Sequence, residues 1–258
     1  MIRELFEKQK VLIIFGAASI VCFVILAIIA PFDSVQILGI NRWVKPMKFF
    51  VSTTIFVWTV AFFLHYLKRY KKSAFVISWG MVLIFTVEMA AVVLQAARGT
   101  TSHFNIKEPF DGILFAVMGL FIVSNTILVA YLLFLYFTAQ IDLPKSIVWG
   151  MRLGLILFLA ASFEGGYMST QIGHSVGVAD GGAGLPIVNW SSKGGDLRVA
   201  HFVGLHAFQA VPFFAFTLEK YQVKTPIAWT FIFALAYLSV FTFLFIQALH
   251  GQPLVSGF

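Results

Sequence analysis

Charge is what this sequence has least of. Only 11% of its 258 residues are charged, while 60% are hydrophobic and 17% aromatic. A soluble domain is usually about a quarter charged, so the balance excludes one and indicates a membrane protein. Cysteine is nearly absent as well. Cys22 stands alone inside an apolar run, so no intrachain disulfide is possible and the redox compartment is not encoded. There is no internal repeat and no soluble insertion, and residues 1–258 read as a single transmembrane domain. The net charge of +7 sits in short clusters between apolar runs. No continuous basic face exists for nucleic acid, and the partner implied is the lipid bilayer.

Other absences narrow the chemistry. No lysine falls within 226–249, which excludes a retinal Schiff base in the last helix. The glycine-rich stretch DGGAGLP is not followed by Gly-Lys-Ser/Thr, so it is not a phosphate loop. His201 and His206 are five residues apart, about 140° around a helix. From an unbroken helix they cannot easily bind one metal, unlike the i, i+4 pair of a zinc-binding H-E-x-x-H helix.

What is present is a series of apolar runs. Seven of them reach or approach the roughly 20 residues that span a bilayer core. They cover 11–30, 47–66, 73–97, 112–138, 146–165, 199–217 and 226–249. Their length, without ten-residue alternation, predicts helices rather than barrel strands. The fold class is therefore an all-α polytopic membrane bundle of seven transmembrane helices. Pro31 closes the first run, Pro46 opens the second and Ser73 is placed to cap the third. Pro144 with Ser146 starts the fifth, and Thr225-Pro226 starts the seventh. The charged leader MIRELFEKQK precedes a full-length run with no A-x-A site after it, which reads as a retained first helix. The stretch 32–45 is too polar to span. Its Phe32, Val35, Leu38 and Trp43 predict a short interfacial helix.

Seven spans place the N-terminus, 67–72, 139–145 and 218–225 on one side. Eleven Lys and Arg lie on or close to that side, Arg3 and Arg152 included, against seven on the other. The positive-inside rule then puts the N-terminus in the cytoplasm and the C-terminus outside, in a plasma or inner membrane. The long connection 166–198 becomes an outer loop, anchored by Leu185, Pro186 and Trp190.

Five of six histidines gather at or near the outer side: His103, His174, His201, His206 and His250. Glu88 lies ten residues before Arg98, about 15 Å below the outer end of the third span. A carboxylate there costs roughly 2.5–3.5 kcal/mol on insertion scales, so it must face the bundle, be neutral or be paired. Glu88, Ala91, Gln95 and Arg98 form one polar stripe. Glu164 ends the fifth span ahead of Gly165-Gly166, where a carboxylate opposes the helix dipole and requires a partner; His206, His174 and Arg98 are candidates. Asp196 can cap the sixth span, and His206 shares a face with Gln209 three residues on. These groups are expected to converge on one outward-facing cavity, since apart they would leave polar atoms unpaired in hydrocarbon.

The leading expectation is a metal- or haem-centred membrane enzyme or redox protein. His206, His174, His103 and His201 are its candidate metal ligands, Glu88 and Glu164 its catalytic carboxylates, and Arg98, Arg198 and Gln209 its cofactor-binding residues. The cofactor would be a transition metal or haem. The first alternative is a transporter or ligand-binding protein holding a small molecule in the outer cavity, with Glu88 as proton-coupling site. The second is a structural or assembly subunit whose polar residues only pin the bundle.

Overall fold

The computed structural model describes residues 7–182 and 184–256. Arg3, counted on the inner side above, and Ala183 of the long loop lie outside them. Among the described residues, seven helices are long and apolar enough to cross a membrane. They are α1 Lys10–Ile29, α2 Val44–Tyr66, α3 Lys71–Ala97, α4 Pro109–Thr138, α5 Lys145–Thr170, α6 Leu197–Lys220 and α7 Pro226–Leu249; a 3-10 turn, Ala30–Phe32, extends α1. Two small antiparallel ladders, β1 Gln36–Ile37 with β2 Ile40–Asn41 and β3 Ser175–Val176 with β4 Gly195–Asp196, complete the described secondary structure. The chain is an all-α integral membrane protein. Helices satisfy every backbone group within the segment, which hydrocarbon demands.

Contacts divide the chain into two compact units, Met1–Leu128 and Val129–Phe258, with the division inside α4. In the first unit, α1 and α2 meet through small and polar contacts. Trp58 Nε1 donates to the Ile13 carbonyl at 3.2 Å, and its indole lies where a side chain at Gly16 would stand. Thr54 Oγ1 donates to the Gly16 carbonyl at 3.1 Å. Leu26, Phe50 and Met89 then join α1, α2 and α3 in one apolar cluster, and Ala91, Val92 and Met118 join α3 to α4.

The stretch 32–45 departs from the expected interfacial helix: it is the β1–β2 hairpin. Its two-residue turn, Leu38-Gly39, needs positive φ at both positions, and they have φ of 53° and 81°. The β-branched Val35, Ile37 and Ile40 flank that turn and favour strand over helix. Asp33 is the hub. It accepts from the Val35 amide at 3.0 Å, from Arg42 Nε at 2.7 Å and from Trp43 Nε1 at 2.7 Å. These donors, the Val35 amide foremost, hold its carboxyl below the usual carboxylate range despite burial acting the other way. Asn41 and Arg42 then reach out of the hairpin to the carbonyls of Ala30 and Ala97, where α1 and α3 end. Ser73 does not cap α3, because that helix starts two residues earlier, at Lys71 after Tyr70, with no side-chain cap.

In the second unit, α5 and α6 approach closely at small residues. A Cβ at Gly150 would lie 2.8 Å from Ala215 Cβ, and one at Gly154 would lie 2.9 Å from the Ala207 carbonyl and 3.2 Å from Pro212 Cδ. Pro212 stays inside a continuous α6. Tyr237 Oη of α7 donates to the Val203 carbonyl at 2.7 Å, above a cluster of Leu157, Ala207, Val211 and Ala234. Asp196 caps α6, accepting from the Arg198 amide at 3.1 Å, as its position predicts.

Candidate functional site

In the first unit, Glu88 is the exceptional residue. It is 1% exposed, and neither carboxylate oxygen has a hydrogen-bond partner among the described residues. The charge of Lys45, one residue into α2, reaches it. Lys45 Nζ also stands 3.3 Å from His103 Nδ1, which Ser102 Oγ approaches to 3.0 Å. The ring of Phe49 packs edge-on to the His103 imidazole at 5.5 Å.

The upper part of the predicted stripe is engaged in its own network. Arg98 closes α3 and pairs with Asp111 in the first turn of α4, with Glu108 at 3.5 Å. Gln95 is fully buried and donates to Asp111 at 2.9 Å, and Asn105 donates to the other Asp111 oxygen at 2.9 Å. The sequence reading passed over Asp111 and Asn105. The signal was there in Pro109-Phe110-Asp111, an acid in a first helical turn, thirteen residues after an arginine. Arg98 thus has three protein partners, Gln95 included.

In the second unit, the long loop runs over 171–196 because α5 continues to Thr170. Asp180 fastens it, accepting from the amides of His174 at 3.1 Å and Ser175 at 2.7 Å. His174 Nδ1 lies 3.2 Å from Asp180 and 4.0 Å from Asp196. Burial alone would raise the Asp180 pKa, but the Ser175 bonds and the His174 ring and amide outweigh it and hold the carboxyl low. Arg198 binds back on Asp196 at 2.6 Å and donates to the Asn189 carbonyl at 2.6 Å. His174 and Arg198 therefore belong to the loop and the helix cap. Trp190 anchors the loop on Phe202, with ring centroids 5.6 Å apart.

Glu164 takes its partner from α6, and that partner is His201. His201 Nδ1 stands 3.0 Å from Glu164 Oε2 and 3.0 Å from the Ala161 carbonyl. Two acceptors facing one ring nitrogen require a hydrogen there, so the neutral ring carries it on Nδ1 and leaves the Nε2 lone pair open. The other Glu164 oxygen is buried without a hydrogen-bond partner among the described residues, and the side chain is 3% exposed against 29% for His201. Gly165 makes this fit possible, since a Cβ there would lie 2.6 Å from His201 Cε1. His206, one of the three candidates for holding Glu164, instead bonds Gln209 and packs edge-on against Phe202 at 4.3 Å. The i, i+3 pairing of His206 and Gln209 is the one read from spacing.

Glu88, Arg98 and His103 belong to the first unit, and Glu164, His174, Arg198, His201, His206 and Gln209 to the second. Among the described residues, no three His, Cys, Asp or Glu side chains are grouped to hold a bare metal ion. The chain matches no protein family, no curated protein and no solved structure.

Proposed function

We propose that the protein is a redox-active integral membrane protein that binds a haem iron through His201 Nε2. The observation that carries this reading is the Glu164–His201 pair. A metal-ligating histidine nearly always donates its other ring N–H to a carboxylate or backbone carbonyl, and His201 Nδ1 faces both. A single oriented imidazole suits a metal that brings its own equatorial ligands, and a porphyrin brings four nitrogens. A bare ion would need more donors than are grouped together among the described residues. The carboxylate would raise the basicity of the ring and favour the oxidised iron. The Lys and Arg count supports a cytoplasmic N-terminus and an external C-terminus, in a plasma or inner membrane.

The test is an absorption spectrum of the protein purified from membranes, followed by titration with haemin. The expected result is a Soret band at one haem per chain that disappears in His201→Ala. In Glu164→Gln the band persists with a changed reduction potential. A colourless protein that takes up no haemin sinks the reading, and so does a band that His201→Ala leaves intact.

A further inference from the structure

Glu88 has no part in the haem reading, and its surroundings suggest a role of its own. It lies about 15 Å along α3 from Arg98, inside the apolar part of a membrane-spanning helix. Both its oxygens are buried, with no hydrogen-bond partner among the described residues. The elements packed around it offer few charges. Lys45 and Lys48 come from α2, Cys22 from the α1 side of the Leu26–Phe50–Met89 cluster, and Arg98 and Asp111 form a closed pair about three turns along the helix. Among these groups, the charge of Lys45 bears on Glu88. Its ammonium also contacts His103, in the loop between α3 and α4.

We propose that Glu88 is a proton-carrying carboxylate, and that Lys45 and His103 form its route of exchange with water. The Lys45 ammonium lies 3.3 Å from His103 Nδ1, so the neutral His103 ring accepts there and carries its own hydrogen on Nε2. Lys45, half-buried on its flexible four-carbon stem, gives a proton to the Glu88 carboxylate and is left as an amine. Water at the half-exposed His103 end of the stem returns a proton to that amine, and His103 Nδ1 holds the restored ammonium there. The net change is one proton moved from water to Glu88, with Lys45 and His103 restored. A neutral Glu88 is also the form that hydrocarbon tolerates.

Infrared spectroscopy of the full-length protein in lipid nanodiscs tests this directly. The expected spectrum contains a protonated-carboxyl C=O band that disappears in Glu88→Gln. On transfer to D2O the band shifts as its proton exchanges. Lys45→Met should keep the band and slow that shift by about ten-fold or more. His103→Gln, a milder change outside the helices, should slow it in the same direction. Circular dichroism and thermal unfolding verify that each variant is folded. The proposal is overturned by a spectrum without the band across the physiological pH range, by a band that survives Glu88→Gln, or by exchange as fast in both route variants as in the parent protein.

Discussion

A single missing side chain decides how His201 is held. Gly165 lets the imidazole lie flat against α5, where Nδ1 meets Glu164 and the Ala161 carbonyl together. Gly165→Ala should push the ring off at least one of these acceptors, because a Cβ contact of 2.6 Å cannot be accommodated without movement. Nitrogen-15 NMR of histidine-labelled protein reads the outcome. The parent should show His201 as one tautomer with hydrogen on Nδ1, and Gly165→Ala a mixture of both; an unchanged tautomer would falsify the packing argument. Residues of this kind are hard to see in a sequence. Glu164 and His201 were both legible as polar intruders in apolar runs, but their pairing was not. It depends on α5 running a turn past Gly165 and on which histidine shares its depth. Asp111 escaped notice for the opposite reason, since an acid at a helix start looks ordinary until Gln95, Arg98 and Asn105 are seen to converge on it.

At the scale of elements, the helices were legible and the connections were not. Long apolar runs carry one signal repeated many times, and every expected span overlies an observed helix. The 32–45 hairpin depends on two residues, Leu38 and Gly39, adopting φ that only a tight turn requires. Replacing Leu38 with glycine should remove the steric cost of its φ of 53° and stabilise the protein by about 0.5–1 kcal/mol, visible as a higher unfolding midpoint. A lower midpoint would mean that the leucine side chain contributes more through packing. The 171–196 loop has its own chemical fastening in Asp180. Its folded pKa is depressed, so its contribution is present above the unfolded value of about 3.9 and is lost as pH falls through the lower folded value. Limited proteolysis should therefore find the loop protected at neutral pH and cut increasingly below about pH 4, whereas Asp180→Asn should be cut even at neutral pH. Equal protection of the variant at neutral pH would show that the loop is held by other contacts.

For the whole molecule, the decisive question is which side of the membrane carries the loop. Lys193 is exposed in it, while its neighbour Ser192 is buried, so cysteine is best introduced at 193. In a Cys22→Ser background, Lys193→Cys should react with an impermeant thiol reagent on intact cells. Reaction only after membrane rupture would reverse the orientation and place His174, Asp180 and the α6 cap in the cytoplasm. Charge counting could reach this far because topology is set by residues near the ends of spans. It could not reach the ligand, because recognition is written in side-chain geometry.

The length of α4 has a consequence for the lipid itself. Its 30 residues extend about 45 Å, half again the roughly 30 Å of a hydrocarbon core. Only 17% of its apolar window is buried within the described structure. Such a helix can lean away from the membrane normal, run its ends into the headgroup layer, or draw the bilayer thicker around it. Each choice costs a fraction of a kcal/mol per ångström of mismatch, and that cost shrinks in a thicker bilayer. Acyl-chain length is thus a variable that should shift this protein's unfolding midpoint, with longer-chained lipids expected to raise it.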